Sequence, residues 1–306
     1  MTRKQFGPYA VELTREDKVL FPRETVTKGD LVRYYQDVSK PLLTHIRDRP
    51  LTLQRFPDGI EEEGFFQKQT PDYFPDWLGR VRVPLENGGS QNQVTVSNAA
   101  GLTYLANQGV ITLHTWLSRK DDLRAPDRMV FDLDPPGNDF GLVRDGARAL
   151  KNTLESLGLP PFLMITGSSG AHVWVPLRRG PDFEAVRAFA RSVADHLVAE
   201  SPRRFTKEVR KTKRKGRLFL DVARNALGQT TVAPYSVHPY AGAPAATPLD
   251  WEELNDDQLN SRAFTIRSLP RRISQREDPW RGMGRHRTGL GEPRKRLGEM
   301  EESPHV

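Results

Sequence analysis

The sequence predicts an α+β fold in which a split βαβ sheet, with helices on one side, follows an N-terminal α/β part. Three observations predict it. Between Met129 and Val222, strand-length apolar runs alternate with long amphipathic stretches in the order strand, helix, strand, strand, helix, strand. Turn-forming clusters such as Pro57-Asp58-Gly59 and Pro135-Pro136-Gly137 punctuate them, and no internal repeat is visible. With 306 residues, 37% of them hydrophobic, the chain can bury a sizeable core as one large domain or two closely packed parts.

Taken in order, Lys28 to about Ile46 reads as an amphipathic helix through Leu31, Tyr34, Tyr35, Val38 and Leu42, with Pro41 the point where it kinks or divides. Leu51 to Phe56 reads as a strand closed by the turn at Pro57. Asn98 to Asn107 has helical spacing, and Gly109 to Trp116 reads as a strand carrying His114 outward between Leu113 and Thr115. A strand from Met129 ends at Pro135, and a helix with an acidic cap runs from Asp139 to Leu157. Pro161–Thr166 and Ala171–Leu177 read as strands joined by Gly167-Ser168-Ser169-Gly170. A helix over Pro181–Glu200 and a strand over Arg217–Val222 complete the pattern. From Asp278 the periodicity is lost, which predicts a mobile tail over 278–306 behind a domain spanning 1–277.

Composition narrows the chemistry. The absence of cysteine removes disulfides, thiolate nucleophiles and the usual structural zinc sites, so any metal must be held by oxygen or imidazole. The apolar stretches are too short to span a membrane and the first residues lack an apolar signal core, which predicts a cytoplasmic protein with no membrane partner. A net charge of +7 favours an anionic partner. Seven cations, Lys207, Arg210, Lys211, Lys213, Arg214, Lys215 and Arg217, fall within eleven residues against Glu208 alone, a run that suits nucleic acid better than a mixed solvated face.

In an extended strand Asp132 and Asp134 share a face while Leu133 points back into the core, and the turn at Pro135 places the pair at a sheet rim. Two carboxylates so placed suit a hard cation; a solvated turn or a helix cap explains a lone D-x-D equally well. Asp221 shares a strand face with Phe219 and needs a partner, either a cation held with Asp132 and Asp134 or a salt bridge to Arg224 or Arg217. Thr166 to His172 forms a small-residue turn whose amides and hydroxyls could face an anion, or an ordinary hairpin.

The blocks Met129–Gly137, Thr166–Leu177 and Arg217–Val237 occur in an order and spacing that resemble the polymerase domain of bacterial ligase D. That domain is an archaeo-eukaryotic primase-type polymerase of non-homologous end joining. Asp17-Lys18-Val19, Thr27-Lys28-Gly29-Asp30, Arg55-Phe56-Pro57-Asp58-Gly59 and Phe65-Phe66-Gln67-Lys68 extend the resemblance over roughly Gly7 to Arg272. It implies a primase-polymerase fold with an RRM-like catalytic sheet in about 101–277 and a DNA-end-binding part in about 1–100. It further implies that Asp132, Asp134 and Asp221 bind two divalent ions, manganese or magnesium, with His114 close to the metals and the triphosphate. A primer 3′-hydroxyl would then attack the α-phosphorus of an NTP or dNTP, ribonucleotides being favoured, and release pyrophosphate.

Thr166, Ser168, Ser169, His172, Gln229 and His238 fall at nucleotide-binding positions of the family, and Lys18 and Lys28 at its pocket for a downstream DNA 5′-phosphate. Phe65 and Phe66 match its base-stacking pair, and Lys211 and Arg214 a mobile loop near the primer terminus. Two departures stand out: the family usually has lysine or arginine at Ser169 and arginine at His238, so the triphosphate loses two fixed cations. No Lys-x-Asp-Gly adenylation motif is present, so sealing would need a separate ATP-dependent ligase, with Ku a further partner on DNA ends. The implied role is filling short gaps and extending ends with a 5′-phosphate, in end joining, excision-repair gap filling or priming. An end-binding module with weak or lost synthesis is the alternative.

Overall fold

Asp121 is where the chain first changes unit. The computed structural model describes residues 2–85, 88–137 and 139–302. One unit holds the chain up to Asp121 with Thr230–Thr247 and Arg262–Asp278; the other holds Asp122–Gln229, Pro248–Ser261 and the chain from Pro279.

In the first unit, β1 (Thr2–Phe6) pairs with β2 (Tyr9–Leu13), and β3 (Val19–Phe21) with β4 (Val26–Thr27). Thr27 then starts helix α1 (Lys28–Asp37) through a capping box: its hydroxyl accepts from the Asp30 N–H at 3.1 Å, and the Asp30 carboxylate accepts from its N–H at 2.9 Å. The predicted single helix divides at Val38, and α2 (Ser39–Ile46) follows. Pro41 falls in the first turn of α2, where its missing N–H has no intrahelical role. Next come β5 (Leu51–Arg55), β6 (Phe65–Gln67), β7 (Gly79–Pro84), β8 (Ser90–Thr95), α3 (Ala99–Asn107) and β9 (Val110–Thr115). The sheet runs Thr231–Val232, β9, β5, β8, β7, with β6 on β5. Leu31, Tyr34 and Tyr35 of α1 share one core with Leu51 and Leu53 of β5 and Leu113 of β9.

The short β10 (Ser118–Arg119) ends this stretch, and β11 (Asp122–Pro126) opens the second unit. There β12 (Arg128–Asp134), α4 (Phe140–Ser156), β13 (Phe162–Ile165), β14 (Ala171–Pro176), α5 (Phe183–Glu200) and β16 (Leu218–Asp221) give the predicted strand and helix order, and the two-residue β15 (Phe205–Thr206), which the sequence pattern did not include, falls between α5 and β16. The sheet order is β15, β16, β12, β14, β13 and Thr247–Leu249; β16, β12, β14 and β13 pair antiparallel and β15 joins β16 in parallel. Asp139 caps α4 by accepting from the Leu142 N–H at 3.3 Å. Helices α4 and α5 pack on each other and on β12, with α4 meeting the Leu218 side chain at Gly146.

Two boundary expectations need correction. The division expected near residue 100 lies at Asp121, because β9 completes the sheet of the first unit; the stretch 101–277 is shared between the units. The mobile tail expected from Asp278 is ordered through Glu302. Trp280 is fully buried, packs 5.6 Å from Trp174 and donates its indole N–H to the Leu163 carbonyl at 2.9 Å. Met283, Leu290 and Leu297 are buried too, but one apolar residue in seven is too sparse a stripe to mark an amphipathic helix in the sequence. Residues 303–306 of the expected tail lie outside the described residues. Among the described residues no helix is long and apolar enough to cross a membrane.

Candidate functional site

Register in the second unit assembles what the sequence separates by decades of residues. Asp132 on β12 lies opposite His172 on β14 and opposite Asp221 on β16, while Asp134 lies opposite Phe219. Directly opposed residues project to the same side of a sheet, so the three aspartates and His172 share one face at one strand end. The Leu133, Leu218 and Leu220 side chains take the other face, where α4 packs. Further down the aspartate face, Trp174 lies under the Arg128 guanidinium at 5.6 Å and beside Trp280.

Each carboxylate has a different partner. His172, buried, brings Nε2 to 3.4 Å from Asp132 Oδ1, and Arg224 Nε lies 3.9 Å from Oδ2. Burial alone would push the Asp132 carboxyl up, but the charge and hydrogen bond of His172, with Arg224 and Arg214, hold it below the usual carboxylate range. Asp221 moves the other way: burial and the neighbouring Asp132 and Asp134 charges raise it, against an N–H donated by Ala223 at 2.7 Å and the charge of Arg224. Of the two salt bridges expected for Asp221, Arg224 pairs with Asp132 instead, and Arg217 donates to the Arg214 and Pro202 carbonyls.

Asp134 Oδ2 accepts from Arg214 Nη1 at 2.7 Å, and Arg214 is buried with its guanidinium 4.1 Å from the Phe219 ring. Arg214 also donates to the carbonyls of Glu208 and Val209, so the cation at the centre of the basic run points inward. Lys207 pairs with Asp195, whereas Lys211, Lys213 and Lys215 face solvent. Three hard oxygen donors on adjoining strands have the chemistry that Mg²⁺ or Mn²⁺ requires. Among the described residues, however, no three acidic or histidine groups converge as a finished cation cage, as Arg214 already holds Asp134.

The turn from Thr166 to Gly170 is less open to an anion than its composition implies. Thr166 donates its hydroxyl to the Gly170 carbonyl at 3.0 Å and accepts from the Ser168 N–H at 3.1 Å, and the Gly167 N–H goes to Ser261. Two of these groups are thereby spent within the turn and the third on the Ser261 carbonyl. Ser169 Oγ donates to Asp134 Oδ1 at 3.5 Å, and the Ser168 side chain is half-buried. Gly170 is required: a Cβ there would stand 1.9 Å from the Leu133 carbonyl oxygen. Gln229 is exposed in a turn closed by its N–H to the Ala226 carbonyl.

Asn225 was not singled out in the sequence. Fully buried, it accepts from the Val130 N–H at 2.9 Å and donates to the Val130 carbonyl at 2.6 Å, standing in for a strand where β16 stops short of β12. An asparagine three residues beyond a short strand is the only signal that could have drawn attention to it.

The remaining candidates belong to the first unit. His114 lies opposite Thr52 and Val232 and meets the Phe66 ring edge-on at 5.5 Å. His238 stacks on Tyr240 at 5.9 Å, and Arg262 covers the Tyr240 ring at 4.4 Å. Phe65 and Phe66 are 46% and 61% exposed. Being adjacent on β6 they point to opposite faces, Phe65 over Arg55 at 5.4 Å and Phe66 toward His114. Lys28, buried, donates to the Thr14 hydroxyl at 3.1 Å, while Lys18 pairs with Asp58 at 2.5 Å. Burial, then the charges of Arg15 and Lys18, lower the Lys28 ammonium pKa, with Glu16 and Asp17 opposing.

An antiparallel sheet backed by two helices on one face and bearing aspartates from neighbouring strands on the other defines the primase-polymerase class of fold. The family model for the LigD primase-polymerase domain matches residues 27–280, and the chain belongs to that family. It is 33% identical over 263 residues to the multifunctional non-homologous end joining DNA repair protein LigD of Mycobacterium tuberculosis, covering 83% of this chain and 34% of that protein. The bifunctional LigD of Bacillus subtilis is 31% identical over 274 residues, with 88% of this chain and 43% of that protein covered. The chain thus spans roughly a third to two-fifths of the curated relatives it matches. A solved structure of the polymerase domain of Mycobacterium tuberculosis ligase D in complex with DNA superposes with a TM-score of 0.85 at 31% identity, over 91% of this chain and 99% of that one.

Proposed function

We propose that this chain is a template-dependent nucleotidyltransferase that fills short gaps and extends DNA ends carrying a downstream 5′-phosphate. The observation that carries the reading is the register that sets Asp132 between Asp221 and His172, with Asp134 on the same face. The likeness to a polymerase domain complexed with DNA and to end-joining proteins supports DNA as substrate and end joining as setting.

Asp132, Asp134 and Asp221 would hold two Mg²⁺ or Mn²⁺ ions. Bound there, such ions lower the pKa of a primer 3′-hydroxyl and neutralise triphosphate charge. His172 orients the Asp132 carboxylate through its 3.4 Å contact and offers an imidazole to the incoming phosphates. Ser168 and Ser169 contribute hydroxyls. Arg214 moves between Asp134 in the free protein and the phosphates of bound nucleic acid, a role its bidentate fork suits. His114, His238 and Gln229 are assigned to the nucleotide, Phe65 and Phe66 to template bases, Lys18 and Lys28 to the 5′-phosphate, and Lys211 to the DNA backbone. Ribonucleotide preference, and cooperation with Ku and a separate ligase, follow from the family and complete the proposal.

A second reading, an end-binding module with weak synthesis, draws on one observation: Arg214 already occupies Asp134. Primer extension with Mg²⁺ or Mn²⁺ separates the two. Asp132→Asn is expected to lose incorporation by more than about a hundredfold while retaining DNA-end affinity, since the ions contribute several kcal/mol to the transition state. Comparable extension by this variant would remove the metal assignment.

A further inference from the structure

We propose that Asp58 is a resident anion that a DNA 5′-phosphate must displace from Lys18, so that the pocket binds phosphorylated ends weakly enough to let them go. The inference rests on the reading of Lys18 and Lys28 as a phosphate pocket. The two lysines are not equivalent. Lys28 Nζ is buried and donates to the Thr14 hydroxyl, a neutral partner, whereas Lys18 Nζ sits 2.5 Å from the Asp58 carboxylate. The hydrogen bond and charge of Lys18 hold the Asp58 carboxyl below its ordinary range, so it is an anion at neutral pH.

The pair is built into the backbone. Asp58 occupies the turn after β5, where the Gly59 N–H returns to the Phe56 carbonyl at 3.2 Å and the Ile60 N–H reaches the Leu20 carbonyl on β3 at 2.9 Å. Gly59 has a φ of +101°, and a Cβ there would stand 3.2 Å from the Leu20 carbonyl oxygen. A glycine therefore lets the turn lie flat on β3, the strand that Lys18 precedes, and this delivers the carboxylate to the ammonium. Lys28 is tied to the same spot, since its N–H donates to the Lys18 carbonyl at 2.8 Å.

Exposure makes the exchange cheap. The Asp58 side chain is 71% exposed against 25% for Lys18, so the carboxylate can swing into water while the ammonium stays beside Lys28. A terminal phosphate carries close to two negative charges at neutral pH and offers several acceptor oxygens, so it competes well for Lys18. Its apparent affinity is nonetheless reduced by the fraction of Lys18 that Asp58 holds. A 5′-hydroxyl end presents no anion at this position and is indifferent to Asp58. The outcome is a pocket that recognises the phosphate yet releases it for the joining reaction that must follow gap filling.

The test is fluorescence anisotropy of the full chain with gapped duplexes that differ only in a downstream 5′-phosphate or 5′-hydroxyl. Wild type should prefer the phosphate and Lys18→Ala should lose that preference. Asp58→Asn and Asp58→Ala should each bind the phosphorylated gap about two- to fivefold more tightly, the range an exposed ion pair allows, with the hydroxyl gap unchanged. Weaker or unaltered phosphate binding by Asp58→Ala, or equal tightening on both duplexes, would overturn the proposal while leaving the pocket intact. No phosphate preference in wild type, and no effect of Lys18→Ala, would instead remove the pocket reading and the proposal with it.

Discussion

Asp132 and Asp221 are direct neighbours across two strands, yet their carboxyl groups are driven apart, one held down by His172 and the other raised by burial and by its acidic neighbours. Bringing like charges this close is unfavourable unless a cation joins them, which is the residue-scale argument for metal binding. Arg214 supplies part of that positive charge at Asp134 in the free protein, so at the proposed metal site it would compete with a divalent ion. Arg214→Ala should therefore bind Mn²⁺ more tightly, on the order of tenfold for a charge-assisted bond, when titrated calorimetrically without DNA. Weaker Mn²⁺ binding would show instead that Arg214 preorganises the site. The common face of Asp132 and Asp134 was legible in the sequence because strand alternation is a local rule, whereas Asp221 joins them only through the pairing of β16 with β12. That Arg214 is the cation that reaches Asp134 was not, because the basic run offers seven cations and only the folded loop selects one.

Elements hold this face in place through contacts that no periodicity announces. Asn225 satisfies both backbone groups of Val130 from a short 3₁₀ turn, so Asn225→Ala leaves a buried N–H and carbonyl without partners and should cost about 2–3 kcal/mol in urea unfolding. The loop between β13 and β14 lies so close to β12 that Gly170→Ala should cost more than about 2 kcal/mol and shift Asp134, readable as lost melting temperature together with lost nucleotide binding. A Gly170→Ala protein that melts like wild type would contradict that placement. Apart from the two-residue β15, the strand and helix order from β12 to β16 was readable within a residue or two, since long amphipathic helices and bounded apolar runs leave few alternatives. The division of the Lys28–Ile46 helix at Val38, three residues ahead of its proline, was not: a proline breaks the helix before itself and begins the next one.

Over the whole molecule the C-terminal stretch and the charge balance matter most. Trp280 and Leu297 anchor residues that lack any repeat, so sequence periodicity misreads them as a tail; Trp280→Ala should cost about 3–5 kcal/mol, and an unaltered unfolding midpoint would restore the tail reading. A net charge of +7 predicts DNA affinity that falls steeply and linearly on a logarithmic salt scale, and a flat dependence would remove nucleic acid as the partner. The division at Asp121, with two later segments returned to the first unit, was beyond the sequence because it depends on which sheet β9 joins. The proposed activity is synthesis across gaps. Its most direct test is primer extension on a short-gapped duplex with and without the downstream 5′-phosphate, supplied with rNTPs or dNTPs and Mn²⁺ or Mg²⁺. Template-directed incorporation, stimulated by the phosphate and greater with rNTPs, is the predicted result; tight binding of the same duplex without incorporation under any condition would contradict it and leave an end-binding module.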